Sequence, residues 1–286
     1  MTEIDQFESV FKSADKPVYS LESISIDSVL TVTDLPEDSS TAFAQQCKTF
    51  LSVLDKQPST KWQTISGERF SCVGDLLSLV QEAAPDLICA YRNLHTPATE
   101  FPYSLGVYLD VLTQATSVPV LLLPNPQDFM GREGDMQGTR TVMAITDHLT
   151  GDHHLVSYGA LLTQPEGKLL LTHVEDQVIL DRYMSTISKI PSIETESARE
   201  SILKQLLKEP RDYIRSCKKI LHEAKLPITI EEIVTLGHRL LDCKRLVDEH
   251  QVDLLILNTK DDDQLAMHGL AYSLSIELRQ TPLLLL

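Results

Sequence analysis

Short apolar runs alternate along the chain with longer segments in which apolar residues recur at helical spacing. Continuous runs of Val, Ile and Leu are typical of strands that are buried on both faces of a parallel sheet. The runs predict strands at about 28–33, 61–65, 86–91, 118–123, 140–146, 168–174, 228–235, 252–257 and 282–286. The periodic segments predict helices at about 38–55, 71–83, 103–116, 152–164, 197–224, 238–250 and 263–279. This alternation predicts an α/β fold with doubly wound parallel sheets, whose strand C-termini form the ligand-binding edge.

One pattern occurs twice along the chain. An apolar strand that begins with Asp-Leu leads to a glycine and, 13 residues later, to a proline followed by apolar residues. The two copies consist of 86–90, Gly106 and Pro119, and of 253–257, Gly269 and Pro282. A repeat of this size predicts two tandem domains, residues 1–130 and 131–286. We expect them to pack as an intramolecular pseudo-dimer through their last strands.

The first copy is the shorter one. From the aspartate that ends its first strand to the proline it covers 85 residues (119 − 34), against 135 (282 − 147) in the second. The missing segment corresponds to one strand and one long helix, and residues 17–22 are a candidate for a substitute edge strand. Residues 124–139, rich in Pro and Gly, predict the connection between the domains. Residues 176–196 are interpreted as a long, partly exposed excursion.

Charge and cysteine usage exclude several classes of protein. The 286 residues carry a net charge of −16, which argues against nucleic-acid binding. No apolar run is long enough to span a bilayer, and the first residues do not resemble a secretory signal. Five scattered cysteines without a Cys-x-x-Cys pair suit a reducing compartment, so a cytoplasmic location is expected.

The repeated motifs resemble the universal stress protein family in its tandem two-domain form. The matching features are an aspartate ending the first strand, a glycine after the third, the Asp-Leu strand and the Gly-x12-Pro ending. Thr172-His173-Val174 also matches the family's His-Val at the end of its second strand. One group in this family binds ATP through a stretch G-x2-G-x9-G-(S/T) after the fourth strand, where backbone N–H groups hold the phosphates. The other group lacks that stretch.

Both halves of this chain lack the glycine-rich stretch. Residues 91–100 contain no glycine, and Gly106 is followed by Val107 instead of Ser or Thr. In the second half, three consecutive aspartates at 261–263 stand where a triphosphate would lie, and like charges repel it. The resemblance therefore implies a degenerate, non-ATP-binding type, with no cofactor. Because no nucleophile or metalloenzyme motif is present, we expect no enzymatic activity.

If a small ligand binds, the resemblance places it beside the predicted sheet edge in each half. The candidate binding residues are Asp34, Gly106, Asp147, Gly237, His238, Asn258 and Gly269. For Asp34 and Asp147 the alternative is a capping role at a strand-to-helix turn. For Gly237, as for its counterpart Gly67, the alternative is a structural turn with positive φ.

Histidines gather at the same predicted edge of the second half. His148, His153 and His154 follow its first strand, and His173 ends the second. Imidazoles near Glu175 and Asp176 could hold a divalent metal, although the spacing matches no common ligand motif. The alternative is a solvated turn.

These observations predict a cytoplasmic, non-enzymatic stress protein that acts by binding a protein partner or a small ligand. One alternative is an ATP-binding protein with slow hydrolysis, using Asp147, Asn258, Lys260 and Gly269. Another is a metal-binding stress sensor. A homodimer of two tandem chains also remains open.

Overall fold

A computed structural model describes residues 17–56, 60–96, 103–126, 136–146, 149–259 and 269–286. Its strands are β1 (Ser28–Val32), β2 (Lys61–Ile65), β3 (Leu87–Tyr91), β4 (Val120–Leu123), β5 (Thr141–Ile145), β6 (Lys168–Asp176), β7 (Thr229–Gly237), β8 (Leu254–Leu257) and β9 (Leu283–Leu285). Its helices are α1 (Glu37–Phe50), α2 (Val73–Ala83), α3 (Val107–Ala115), α4 (His153–Leu162), α5 (Gln177–Ile187), α6 (Thr195–Glu223), α7 (Arg239–Glu249) and α8 (Gly269–Glu277). Short 3-10 helices lie at Ser52–Lys56 and Gly67–Arg69.

All nine strands form one mostly parallel sheet, in the order β2-β1-β3-β4-β9-β8-β5-β6-β7. In each half the strand order reverses beside the first strand, at β1 and at β5, which is the arrangement of a doubly wound Rossmann-like sheet. The central strands β3, β4, β5 and β8 are almost wholly buried, as their continuous apolar sequences predict. The predicted α/β fold class is confirmed.

The last strands of the two halves, β4 and β9, pair in antiparallel fashion. Val120 lies opposite Leu285, Leu121 opposite Leu284, and Leu122 opposite Leu283. This is the only antiparallel pairing in the sheet among the described strands. Each half therefore covers an edge that the other half would otherwise expose. The domain boundary near residue 130 lies in 127–135, outside the described residues, and the division into two domains stays a prediction.

The repeated Asp-Leu motif has the same structural role in both halves. Asp86 accepts hydrogen bonds from the backbone N–H of Asp27 (3.0 Å) and Ser28 (2.8 Å), where β1 begins. Asp253 accepts from the N–H of Arg140 (2.9 Å) and Thr141 (2.7 Å), where β5 begins. Each aspartate thus ties the start of its own strand to the start of the neighbouring strand.

The structure bears out most predicted elements and corrects two of them. The first half has four strands and the second has five within the described residues, as the difference in length indicates. Residues 17–22 form no strand, so the predicted substitute edge strand is wrong; they lie on α4 and α6 instead. Residues 177–187, interpreted as part of an excursion, form helix α5. No helix in the described parts of the chain has the length and apolar character needed to cross a membrane.

Candidate functional site

The predicted site residues lie at the C-terminal ends of the strands, but in separate groups. Asp34 follows β1 and Gly106 precedes α3, whereas Gly237 ends β7 and His238 is the N-cap of α7. Asn258 follows β8, and Gly269 begins α8. Asp147 lies outside the described residues. One group thus lies at the sheet edge of the first half and the others at the sheet edge of the second half.

Asp34 is held by groups from the neighbouring strand β3. Its carboxylate accepts a short hydrogen bond from the Tyr91 hydroxyl and a second from the backbone N–H of His95, at 2.8 Å. Burial, and then the adjacent Asp34 carboxylate, raise the pKa of Tyr91, so that the phenol keeps its proton and donates. The N-cap of α1 is Pro36, so the alternative in which Asp34 caps this helix is wrong. Asp34 instead ties β1 to the turn after β3.

The turn after β3 is built from side-chain-bearing residues in unusual backbone conformations. Asn93 and His95 both have positive φ, +60° and +53°. The Asn93 N–H donates to the carbonyl oxygen of Leu105 at 2.8 Å, which brings this turn against the segment before α3. Gly106, with φ of +88°, is needed there because any Cβ would lie 2.9 Å from the Asn93 Cα. Glycine at this position therefore allows the two segments of the chain to approach each other closely.

Three aromatic rings pack together beside the turn after β3. The Phe70 ring lies 4.7 Å from the His95 ring and 5.5 Å from the Tyr108 ring, and His95 and Tyr108 are 5.3 Å apart. The Tyr108 hydroxyl donates to the Ser71 carbonyl oxygen at 3.0 Å, which fixes the ring across the turn. Phe70 and Tyr91 are buried. The three rings therefore contact one another directly beside the turn after β3.

Arg92, directly after β3, reaches into the other half. Its guanidinium donates to the carbonyl oxygens of Ser275 and Leu278, the latter at 2.8 Å, at the C-terminal end of α8. The negative end of a helix dipole favours such a cation. The side chain is buried, so these charge-assisted bonds are made away from water. Arg92 thus connects the end of β3 in the first half to the C-terminal end of α8 in the second.

Asn258 in the second half also has a protein partner. Its side-chain amide donates a short hydrogen bond to Asp152, whose other carboxylate oxygen accepts from the Leu155 N–H at 3.0 Å as the N-cap of α4. Burial raises the pKa of Asp152 above its ordinary value of 3.8. Gly269 has φ of +62°, a conformation that favours glycine. Residues 260–268, including Lys260 and the three aspartates, lie outside the described residues.

The predicted positive-φ turn at Gly237 and Gly67 is wrong, because neither glycine has positive φ. Both positions instead require glycine because there is no room for a Cβ atom. A Cβ at Gly237 would lie 2.1 Å from the Asp242 Oδ2, which accepts the His238 N–H at 2.8 Å. A Cβ at Gly67 would lie 2.2 Å from the Asp34 backbone oxygen. Both glycines therefore allow close packing at the sheet edge.

The histidines proposed as a metal cluster have separate partners. His153 Nδ1 lies 2.9 Å from the Tyr213 hydroxyl, and His154 Nδ1 lies 2.8 Å from a Glu22 carboxylate oxygen. His173, which is buried, pairs with Glu175 at 3.2 Å. Among the described residues no three metal-ligating side chains come together. His148 lies outside them, so a metal site that uses this residue stays a prediction.

Comparison with known proteins gives matches in three-dimensional structure alone. No family model matches the chain, and no curated protein matches it. A universal stress protein from Archaeoglobus fulgidus DSM 4304 matches with 12% identity, a TM-score of 0.49, and coverage of 90% of this chain and 95% of that one. A functionally unknown protein, PA1789 from Pseudomonas aeruginosa PAO1, matches with 12% identity, a TM-score of 0.47, and 92% of each chain.

Universal stress proteins are thus among the similar solved structures. This is the family that the repeated sequence motifs indicate. A third match, the hypothetical protein MJ0577, has 18% identity and a TM-score of 0.40, and it covers 52% of this chain and 95% of its own. Identities this low with TM-scores under 0.5 carry nothing about activity, so function must be inferred from the residues of this chain.

The sequence predicted the sheet edge at which the candidate residues lie, but not all of the side chains found there. Phe70, Tyr91, His95 and Tyr108 were not among the predicted site residues, and neither was Arg92. One signal was available: residues 91–100 contain no glycine, and the large side chains of Tyr91 and Arg92 stand at the start of this segment.

Proposed function

We propose that this chain is a cytoplasmic, non-enzymatic stress protein that acts by binding a protein partner or a small ligand, without using ATP. The observation that carries this proposal is the engagement of Asp34 by Tyr91 and His95. In ATP-binding universal stress proteins the corresponding aspartate contacts the adenine side of the nucleotide. Here its carboxylate already accepts two hydrogen bonds from the protein.

The described residues of the first half argue against binding of an adenine nucleotide. A phosphate cradle needs several backbone N–H groups that are free to converge on an anion. The Asn93 N–H is already bonded to Leu105, and the His95 N–H to Asp34. The rings of Phe70 and Tyr108 lie over the same turn together with His95. A nucleotide whose phosphates lay against this turn would compete with these contacts.

A second candidate function, nucleotide binding with slow hydrolysis, is favoured only by the second half. Gly269 has positive φ at the start of α8, and the position of Asn258 beside β8 is compatible with a ligand contact. Two further residues of this candidate, Asp147 and Lys260, lie outside the described residues.

Isothermal titration of the full chain with ATP, with and without Mg²⁺, tests the proposal. We expect no saturable heat up to millimolar ATP. The variant Asn258→Ala is the matched control, because it removes the only described polar side chain of the second candidate. Saturable binding that this variant weakens at least tenfold would support the second candidate and overturn the first.

A further inference from the structure

The segment before β1 belongs to the first half by sequence but lies on the second half. Tyr19 is only 2% exposed, nine residues before β1 begins. Its backbone N–H donates to the Ser216 hydroxyl of α6 at 3.0 Å. Its own hydroxyl lies 2.9 Å from the Ser157 hydroxyl of α4. Residues 17–23, called the N-terminal strap from here on, therefore occupy the groove between α4 and α6.

The groove is built to hold a tyrosine. The Tyr19 ring makes edge contacts with His153, at 5.8 Å between centroids, and with Tyr213, at 6.3 Å. His153 and Tyr213 are bonded to each other at 2.9 Å, so the two walls of the groove hold each other in place. Burial raises the pKa of Tyr19 to about 12, which keeps its hydroxyl protonated. The site thus combines aromatic walls with a hydroxyl at its end.

A second position of the strap is recognised through an acidic side chain. The Glu22 carboxylate lies 2.8 Å from His154 Nδ1, and the Glu22 N–H donates to the Ser157 hydroxyl at 3.1 Å. Ser157 is only 2% exposed, and its hydroxyl forms hydrogen bonds with both Tyr19 and Glu22. Recognition depends on two side chains three residues apart.

The strap is held through Tyr19 and Glu22 and not through secondary structure. Residues 17–27 form neither helix nor strand, so no ladder of backbone hydrogen bonds holds them. Within the strap, Val18 is 64% exposed and Leu21 is 40% exposed, so these two side chains face solvent. Another segment with the same two groups can compete for the groove, although the tether gives the strap a high effective concentration there.

We propose that the groove between α4 and α6 is a docking site for an extended protein segment that carries a tyrosine and, three residues later, an acidic residue. The N-terminal strap is the intramolecular ligand of this site, and a partner segment binds by replacing it. This inference rests on the proposed partner-binding function and names the chemistry of the partner. It involves a different surface from the first-half edge, so the ATP titration and the test below can fail independently.

The test uses the full chain and a fluorescein-labelled peptide with the sequence of residues 17–23. The variant Tyr19→Ala/Glu22→Ala weakens the strap, and we expect it to bind the peptide at least tenfold more tightly than the unaltered chain. Adding Ser157→Ala in the groove should reduce that affinity about tenfold, because one hydroxyl serves both recognised positions. The matched control Val18→Ala/Leu21→Ala changes only outward-facing residues and should bind like the unaltered chain. Fluorescence anisotropy measures all four proteins.

Hydrogen exchange in the unaltered chain gives a second measurement that does not depend on a variant. Millimolar unlabelled peptide should accelerate exchange at the Tyr19 and Glu22 amides, which leave Ser216 and Ser157 when the strap is displaced. A peptide with alanine in place of the tyrosine should have no effect. If the weakened variant is folded but does not bind the peptide, or if the alanine peptide binds equally well, the groove is no docking site and the strap is purely structural.

Discussion

At the scale of single residues, glycine is required at Gly67 and Gly237 for space and not for backbone conformation. The atoms that a Cβ would meet differ between the two sites. At Gly67 the obstacle is the backbone oxygen of Asp34, whose side chain is itself fixed by Tyr91. At Gly237 the obstacle is the end of the Asp242 side chain, which can rotate away.

This difference predicts unequal costs for two identical substitutions. Gly67→Ala should lower the free energy of unfolding by about 3 kcal/mol, because backbone must shift in a packed region. Gly237→Ala should cost about 1 kcal/mol, since Asp242 moves and loses its hydrogen bond to the His238 N–H. Urea unfolding followed by circular dichroism measures both values.

Gly74 provides the control for this comparison. It lies in α2, and a Cβ there would meet only the Cys72 sulfur, at an ordinary 3.7 Å. Gly74→Ala should therefore stabilise the chain by up to about 1 kcal/mol through helix propensity. Equal losses at Gly67 and Gly237 would contradict the packing explanation.

At the scale of elements, the sequence predicted strands more reliably than helices. The strands β3, β4, β5 and β8 consist of uninterrupted apolar residues, and such runs have few alternatives to a buried parallel sheet. Helix α5 was missed although Leu180, Tyr183, Met184 and Ile187 recur at the i, i+3, i+4, i+7 spacing of a helix. The segment was interpreted as an exposed excursion, and within it Leu180 and Met184 are in fact buried.

The sequence could predict where the candidate site lies in the fold, but not the contacts that its residues make. The position of Asp34 directly after a predicted strand indicated that it lies at the sheet edge. Its contact with Tyr91, however, joins residues 57 positions apart. No local pattern encodes such a contact. The same holds for Tyr19, whose partners lie 138 and 197 positions away. An extended segment without periodicity carries no signal for the surface on which it lies.

The start of helix α4 depends on Asp152, and this dependence should vary with pH. Because burial raises the folded-state pKa of Asp152 above 3.8, the ionised carboxylate is disfavoured in the fold. The protonated Asp152 carboxyl group therefore stabilises the fold below pH 3.8, and this contribution is lost as the pH rises through the folded-state pKa. Asp152→Asn keeps an oxygen for the Leu155 N–H and has no charge to bury. The stability of this variant relative to the unaltered chain should increase from pH 4 to pH 7.

The variant Asp152→Ala distinguishes the effect of losing the helix cap from the effect of removing the buried charge. Without an acceptor for the Leu155 N–H, it should lose about 1 kcal/mol at pH 7 relative to Asp152→Asn. Urea unfolding of the three proteins at both pH values measures these differences. A constant difference between Asp152→Asn and the unaltered chain across this range would show that burial of the carboxylate has no energetic effect.

At the scale of the whole molecule, the pairing of β4 with β9 turns two sheets into one. The register places Val120 opposite Leu285, so cysteines at these two positions should form a disulfide on refolding in a glutathione buffer. With five native cysteines, the variant has seven thiols when reduced and should have five after oxidation. The bridge would close a loop of 165 residues (285 − 120), so it should raise the free energy of unfolding by about 4 kcal/mol.

The pair Val120→Cys/Leu283→Cys tests the register itself. Leu283 lies opposite Leu122, so a cysteine there is two positions away from the partner of residue 120. Diagonal neighbours of this kind are about 7–8 Å apart, beyond the reach of a disulfide without movement of the backbone. Alkylation of free thiols in denaturant followed by mass spectrometry should therefore find seven thiols in this variant and five in the matched pair. Equal bridging in both would mean that the two halves slide along each other, and the Arg92 contact with α8 would then be unable to hold one fixed arrangement.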